Sequence, residues 1–342
     1  MRPPTNRRVI CTVGPASRKP GIIRRLQALG VSLFRINLSH TPLEEVGPAV
    51  AFLQEHSTVP ICLDSEGAQV RTGTFATALT DLRKDSVIQV HRSPISGDAQ
   101  KFNFTPPVTL ELLHLGDLIT IDFHTVVVQV MEIQSDRVVL RVRKGGSVGS
   151  NKACNVHRGI DLPAITVKDR KAIEIGREMG VEHFALSFAN RPEDVQEMRE
   201  LIGPAATLIS KIESRSGIAN LEGIALISDA ILIDRGDLSR QVPLEQIPAQ
   251  QKDIIGRVKA IGRPVFVATN LLESMVHSPV PTLAEINDIY NTLEDGADGL
   301  VLAAETAVGK FPVGCVLMVR RVIAEFERSG SVDNVQIGAT RL

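Results

Sequence analysis

The alternation of short apolar runs with amphipathic stretches constrains this chain of 342 residues more than any other feature. The runs end abruptly in turn residues or charges, which is typical of strands buried in a parallel sheet. The predicted strands are 8–13, 31–36, 60–63, 184–188, 208–212, 231–234, 265–269 and 299–303. The predicted helices are 19–30, 43–54, 168–179, 192–201, 217–224, 244–261, 282–293 and 312–327. Strands and helices that alternate in this number predict an α/β fold, the (β/α)8 TIM barrel.

The alternation of strand and helix stops after the third predicted strand. From residue 74 to residue 159 the chain shows β-type alternation with glycine turns and little helical periodicity. We therefore predict two domains: a catalytic barrel from 1–73 and 160–342, and an inserted all-β barrel from 74–159. Because TIM barrels collect their chemistry at the carboxyl ends of the strands, an insertion at this point is placed to act as a lid.

Composition and charge exclude several classes of protein. Hydrophobic residues make up 43% of the chain, enough for a large core, and the formal net charge of -1 does not favour nucleic-acid or membrane partners. No apolar run approaches the roughly 20 residues of a membrane span, and no signal core follows the basic start of the chain. We expect a cytoplasmic protein that acts on small molecules. The cysteines lack metal-ligand spacing and are expected to be buried, reduced thiols: Cys11, Cys62, Cys154 and Cys315.

Two neighbouring strands end in charges that suggest a site. The run from Leu208 contains Lys211 and leads into Glu213, and the run from Ile231 leads into Arg235-Gly236-Asp237. Lys211 and Glu213 are two residues apart, so in an extended chain they point to the same face. One ammonium and two carboxylates, Glu213 and Asp237, suit a divalent cation and a phosphorylated substrate. A cluster of salt bridges that closes the barrel end is the alternative.

Other polar residues follow the remaining strands and are expected at the same rim. These are Arg35, Asn37, Ser39, Asp64, Arg71, Thr269, Glu305 and Thr306. The two arginines can bind phosphate in a bidentate manner, and a structural ion pair is the alternative for each. Gly236 allows close approach of backbone N–H groups to a phosphate or carboxylate.

Neutral and anionic oxygens follow the second and third strands. Asn37, Ser39 and Asp64 together suit a monovalent cation. Ordinary strand capping is the alternative for Thr269, and a structural role is the alternative for His40.

In these motifs the chain resembles the pyruvate kinase family, over nearly everything from residue 8 to residue 327. The motifs that match in order and spacing are Cys11-Thr12-Val13-Gly14-Pro15-Ala16-Ser17, Arg35-Ile36-Asn37-Leu38-Ser39-His40, Arg71-Thr72-Gly73, Ser210-Lys211-Ile212-Glu213, Arg235-Gly236-Asp237-Leu238, Ala268-Thr269-Asn270-Leu271-Leu272-Glu273-Ser274-Met275 and Glu305-Thr306-Ala307. The resemblance implies phosphoryl transfer from phosphoenolpyruvate to ADP, giving pyruvate and ATP. It also implies Mg2+ or Mn2+ and K+ as cofactors.

The resemblance assigns roles to individual residues. The implied catalytic residues are Lys211, Thr269 and Arg35, and the implied substrate-binding residues are Arg35, Lys211, Gly236, Asp237 and Thr269. The implied nucleotide-binding residues are Arg71, Lys168, Asn37 and His40. The implied Mg2+ ligands are Glu213 and Asp237, and the implied K+ ligands are Asn37, Ser39, Asp64 and Ser65.

The chain departs from the family pattern mainly where nucleotide and K+ would bind. Glu66 replaces the family's Lys, Gln69 its Glu, Ala303 its Ser and Val308 a nucleotide-contacting Lys. The family's C-terminal regulatory domain has no counterpart in this sequence, so we expect no allosteric regulation, and a homodimer rather than a tetramer.

Three functions are compatible with these departures. The first is a compact pyruvate kinase. The second is a diverged relative that uses Mg2+-enolate chemistry with another acceptor or as a lyase. The third is a non-catalytic metabolite-binding protein, against which the intact set of Lys211, Glu213 and Asp237 counts.

Overall fold

The computed structural model describes residues 7–67, 69–122 and 125–332. The strands are β1 Arg8–Thr12, β2 Leu33–Asn37, β3 Ile61–Asp64, β4 Val70–Thr72, β5 Thr80–Leu82, β6 Val87–His91, β7 Lys101–Thr105, β8 Leu118–Ile121, β9 Val126–Ile133, β10 Arg137–Lys144, β11 Gly146–Val148, β12 Ala153–Val156, β13 His183–Leu186, β14 Thr207–Ile212, β15 Ala230–Asp234, β16 Val265–Ala268 and β17 Gly299–Leu302. The α-helices are α1 Pro20–Ala28, α2 Leu43–His56, α3 Thr109–Leu112, α4 Val167–Glu178, α5 Pro192–Ile202, α6 Arg215–Ala219, α7 Leu221–Ile227, α8 Arg235–Leu238, α9 Ile247–Ala260, α10 Leu283–Glu294, α11 Ala304–Ala307 and α12 Pro312–Val332. Short 3-10 helices cover Leu38–His40, Leu244–Gln246 and Glu273–Val276.

The chain divides into two compact units, one of Met1–Gly67 with Ala164–Leu342 and one of Ala68–Pro163. In the first unit, eight strands close into a barrel in the order β1-β17-β16-β15-β14-β13-β3-β2. All neighbouring pairs are parallel. The predicted (β/α)8 barrel is confirmed, and each strand lies within about two residues of its predicted bounds.

Alternation along the strands separates the interior of this barrel from the layer that faces the helices. On β14, Leu208 and Ile212 pack in the large core with the helices, whereas Ile209 belongs to a small interior cluster. Every barrel strand contributes to that cluster, which consists of Ile10, Leu33, Cys62, Ala185, Ile209, Ala230, Leu232, Phe266, Ala268 and Val301. Because side chains repeat with a period of two, the next interior position on β14 is Lys211.

The helices begin where local chemistry favours them. Thr282 caps α10 through a reciprocal capping box with Glu285, which confirms the predicted N-cap. The predicted helix 217–224 is instead two helices, α6 and α7, that meet at Asn220. The predicted helix 244–261 starts as a 3-10 turn and becomes α-helical near Pro248. The four-residue helices α8 and α11, which follow β15 and β17 with at most one residue between, were not predicted, since they are too short for periodicity to detect.

In the second unit, strands close into a barrel in the order β10-β6-β7-β4-β12-β8-β9, and β5 pairs with β11. A separate core fills it, with Phe102, Phe104 and Ile119 fully buried. The unit begins earlier than the predicted residue 74 because β4 pairs with β7 and β12.

The predicted buried, unpaired state of the cysteines is confirmed, and burial raises the pKa of each thiol at Cys11, Cys62, Cys154 and Cys315. Among the described residues, no helix combines the length and the apolar character needed to cross a bilayer.

Candidate active site

The carboxyl ends of the barrel strands present a layer of buried polar side chains. Each member continues the interior-facing positions of its strand by an even step, and the members are Thr12, Arg35, Asp64, Ser187, Lys211 and Asp234. Parallel strands bring these ends to one edge, so residues far apart in sequence become neighbours.

Lys211 lies at the centre of this layer. Its Nζ is 2.8 Å from Oε1 of Glu213, 3.4 Å from Oδ2 of Asp64 and 3.7 Å from Oδ2 of Asp234. The ammonium also donates a 3.0 Å hydrogen bond to Oγ of Ser187. Burial by itself would lower the pKa of Lys211, but the three carboxylates outweigh it and raise that pKa above its ordinary value. Lys211 is therefore a fixed, buried cation.

Glu213 extends the interior face of β14 by one more even step. Its Oε2 accepts a 2.6 Å hydrogen bond from the backbone N–H of Phe188, a residue with a φ of 51°. Burial raises the pKa of Glu213; Lys211 opposes this change, and the carboxylates of Asp237 and Asp234 add to it. Burial is the largest of these effects, so the raised pKa reflects mainly the cost of holding a charged carboxylate away from water.

Glu213, Asp234 and Asp237 form a group of acids suited to a metal ion. Each offers a carboxylate oxygen, and these oxygens all lie within 4.8 Å of one another. In an octahedral Mg2+ site with bonds of about 2.1 Å, neighbouring oxygens are about 3.0 Å apart and opposite ones about 4.2 Å, so side-chain shifts of about 1 Å would complete the contacts. Oδ1 of Asp234 is buried and has no hydrogen-bond partner among the described residues. Hard oxygen donors with an unsatisfied buried member fit a divalent cation.

The structure brings together the predicted trio of Lys211, Glu213 and Asp237. Sequence reasoning did not assign Asp234, which lies two residues after the interior Leu232 and ends β15. That even spacing was the available signal, because it places the carboxylate on the same face as Lys211 on the neighbouring strand.

Arg35 sits beside this cluster in a fully buried ion pair. Its Nη1 is 2.9 Å from Oδ2 of Asp64, and its Nε donates to Oγ1 of Thr12 at 2.9 Å. Asp64 therefore links Arg35 to Lys211. The structural ion pair that was the alternative to phosphate binding by Arg35 is therefore present. The same ion pair holds the guanidinium at the rim of the barrel interior.

Thr269 and Gly236 meet at the ends of β16 and β15. The N–H of Gly236 donates to Oγ1 of Thr269 at 2.8 Å. Thr269 has a φ of 74°, a strained value for a β-branched residue. Arg235 holds this conformation, since its Nη2 donates to the Thr269 carbonyl at 2.7 Å while its Nη1 is 2.8 Å from Oδ1 of Asp288. Such strain is typical of functional sites.

The residues predicted for a monovalent cation follow β2 and β3. Oδ1 of Asn37 accepts the N–H of Ser39 at 2.9 Å, which starts the 3-10 turn that ends at the exposed His40. Ser65 is buried, and its carbonyl accepts a 2.7 Å hydrogen bond from Ser187. The side chains of Asn37 and Ser65 are thus already engaged in local hydrogen bonds.

The predicted nucleotide-binding Lys168 is engaged with one of the departures from the family pattern. Its Nζ is 3.1 Å from Oε2 of Glu66 and also donates to the Leu38 carbonyl. Asp169 accepts the N–H of Glu66 at 2.7 Å, which fixes this loop. Arg71 belongs to the second unit, where its Nη1 donates to the Asn151 carbonyl at 3.0 Å.

Comparison with known proteins identifies similar chains. A family model described as "Pyruvate kinase, barrel domain" matches residues 5–316. A protein named pyruvate kinase from Agrobacterium vitis is 37% identical, with 94% of this chain and 69% of the relative covered. A pyruvate kinase from Methylorubrum extorquens is 35% identical, with 94% and 68% covered, and one from Thermotoga maritima is 35% identical, with 94% and 71% covered.

Proposed function

The chain belongs to the pyruvate kinase family, and on that basis we propose that it transfers a phosphoryl group between phosphoenolpyruvate and ADP, with pyruvate and ATP as products. The observation that carries this proposal is the placement of the buried Lys211 ammonium 2.8 Å from Glu213, with Asp237 beside it. Phosphoryl transfer depends mainly on positioning and on neutralising charge, which a rigid cation and a metal site supply.

Glu213 and Asp237 would hold the divalent cation. A bound Mg2+ or Mn2+ supplies positive charge to the phosphate and the enolate oxygen. Lys211 supplies a second positive charge that its carboxylate neighbours keep protonated. The guanidinium of Arg35 is fixed by Asp64 and would contact the substrate phosphate without further ordering.

Thr269 is proposed to lie beside the carbon that receives the proton. Its Oγ1 is fixed by the N–H of Gly236, and its backbone is held by Arg235. A hydroxyl held in this way is oriented before substrate arrives, which lowers the cost of reaching the reactive geometry.

A second candidate is a relative that performs the metal-enolate chemistry with a different phosphoryl acceptor or as a lyase. The ion pair of Lys168 with Glu66 favours it, because the lysine proposed for nucleotide phosphate already has a carboxylate partner. Val308, where the family pattern has a lysine, is 60% exposed and adds no charge.

A lactate-dehydrogenase-coupled assay with phosphoenolpyruvate, ADP, Mg2+ and K+ tests the first candidate. We expect turnover that depends on all four. Exchange of the pyruvate methyl protons in D2O, followed by NMR, needs only metal and the enolate chemistry. Exchange without phosphotransfer would support the second candidate, and the absence of both would contradict each of them.

Potassium is proposed to bind near Asn37, Ser39, Asp64 and Ser65, whose oxygens follow neighbouring strands. The coupled assay with K+ replaced by Na+ or tetramethylammonium tests this proposal. A rate that is the same with all three cations would remove it.

A further inference from the structure

We propose that Asp234 is a third protein ligand of the divalent cation, so that the protein holds the metal before any substrate binds. The proposal rests on the proposed function only in taking Glu213 and Asp237 as the other two ligands. It concerns this chain's own residues and the metal alone.

The first support is geometric. Oxygens of Glu213, Asp234 and Asp237 lie within 4.8 Å of one another, so one ion can contact all three after small side-chain rotations. Glu213 follows the end of β14, and Asp234 ends the paired strand β15. The backbone thus fixes two of the ligands, and Asp237 approaches from α8.

The second support is an unsatisfied buried oxygen. Asp234 is 5% exposed, and its Oδ1 has no hydrogen-bond partner in the part of the chain that the structure describes. A buried carboxylate oxygen without a partner has lost its hydration and gained no hydrogen bond in return, which is destabilising. The missing Cβ of Gly236 leaves room here, since a methyl group at that position would lie 3.4 Å from this oxygen.

The alternative is that Asp234 serves only as a partner of Lys211. That contact is the longest of the three made by the ammonium, at 3.7 Å against 2.8 Å to Glu213 and 3.4 Å to Asp64. The contact with Lys211 involves Oδ2 of Asp234 and does not account for the burial of Oδ1 without a partner among the described residues. Lys211 already has two nearer carboxylates, so a third acid needs another positive charge.

The balance of charge points the same way. Among the ion pairs of the described residues, four carboxylates lie around the layer and three cations contact them: Asp64, Glu213, Asp234 and Asp237, with Arg35, Lys211 and Arg240. The acids are in excess, and the excess falls on the side of Glu213 and Asp234, away from Arg35. A divalent cation reverses this imbalance, and a third carboxylate increases affinity for the free ion.

Mn2+ binding to the full, substrate-free chain tests the proposal through two readouts that do not involve catalysis. Free Mn2+ is measured by electron paramagnetic resonance during titration, and inner-sphere water is counted from the broadening caused by 17O-water. Mn2+ in about six-fold coordination leaves about three sites for water when three carboxylates bind, and four when two bind.

The variants are Asp234→Asn, which keeps the shape, and Asp234→Ala. Asp117→Asn is the matched control, because Asp117 is also a buried carboxylate paired with a cation, Arg158, but belongs to the second unit. We expect both Asp234 variants to weaken Mn2+ binding at least about tenfold. We expect one additional bound water in Asp234→Ala and a change of less than twofold in the control.

Two results would overturn the proposal. One is unchanged Mn2+ affinity in the Asp234 variants. The other is weaker affinity with an unchanged water count, which would indicate a through-space effect of charge. Circular dichroism checks folding, and Asp234→Ser replaces any variant that does not fold.

The outcome is separable from that of the proposed function. Mn2+ binding that depends on Asp234 in a protein without phosphotransfer supports this inference and contradicts the function. Phosphotransfer in a protein whose Mn2+ binding does not depend on Asp234 supports the proposed function and contradicts this inference.

Discussion

Replacing Lys211 by Ala should lower both stability and activity, by amounts that the structure allows us to estimate. The buried ammonium is shared by three carboxylates within 3.7 Å. Removing one partner of a buried ion pair costs about 3–5 kcal/mol, because the remaining charge is left uncompensated. Asp64 keeps its 2.9 Å contact with Arg35, so Glu213 and Asp234 carry the loss, and we expect about 3 kcal/mol. Urea unfolding followed by circular dichroism measures this change.

The same substitution should reduce kcat about a thousandfold. Loss of one preorganised group that stabilises charge in the transition state typically costs about a hundredfold to a thousandfold. We expect the upper end because Lys211 is rigidly held and excluded from water. A thousandfold loss corresponds to about 4 kcal/mol in the activation free energy. The coupled assay measures it at saturating Mg2+ and substrate.

Lys259→Ala is the matched control for stability. Lys259 pairs with Asp298 at 2.7 Å, as short as the contact of Lys211 with Glu213, but its side chain is 44% exposed. Exposed pairs contribute about 0–1 kcal/mol, so this variant should lose little stability. Equal losses in the two variants would refute the role assigned to burial. An unchanged kcat in Lys211→Ala would refute the role assigned to the ammonium in catalysis.

Three further changes give separate tests. Glu66→Gln removes the carboxylate that lies 3.1 Å from Lys168, so the KM for ADP should fall severalfold in the coupled assay. Glu45→Gln, which breaks an exposed ion pair, should leave that KM unchanged, and equal KM values in the parent and both variants would count against a nucleotide role for Lys168. Burial lowers the pKa of His183, so the unfolded chain binds more protons and the free energy of unfolding should fall as pH drops through about 6.5. In urea unfolding between about pH 5 and pH 7, His183→Gln should flatten this pH dependence, and an unaltered dependence of stability on pH would contradict the assignment. Thr282→Ala removes the N-cap of α10 and should lower the free energy of unfolding by about 1 kcal/mol, whereas Thr282→Ser should lower it less. Equal stability of the parent and both variants would contradict the capping role of Thr282.

The barrel was predictable from the sequence because each strand is an apolar run bounded by turn residues or charges. Two periodicities carried the prediction: the period of two placed Lys211 and Glu213 on one face, and the helical period located α10 with its cap at Thr282. Elements of four residues, such as α8 and α11, escaped it because they are as long as one helical turn.

Contacts between distant parts of the chain could not be predicted from local patterns. The ion pair of Lys168 with Glu66 joins α4 to the loop after β3, and its formation depends on how both elements pack on the barrel. The left-handed backbone conformation of Thr269 also depends on a distant residue, because Arg235, at the end of another strand, stabilises it. Side-chain type and strand spacing predicted that Lys211, Glu213 and Asp237 come together, but they missed Asp234 and did not predict which residues form ion pairs.

Asp234 shows why a residue can be predictable in position and still be overlooked in role. A carboxylate at the end of an apolar run usually marks the point where a strand reaches solvent. Asp234, however, lies two residues after the interior Leu232, so its side chain points into the barrel, where it is 5% exposed. An acid in that position has two ways to be stable: it can be protonated, or it can face a cation. Lys211 has two nearer carboxylates, and the proposed ion held with Glu213 and Asp237 would supply the positive charge that Asp234 faces. On this proposal the ion would offset the cost of burying this oxygen, and metal binding would then stabilise the folded chain as well as serve its chemistry.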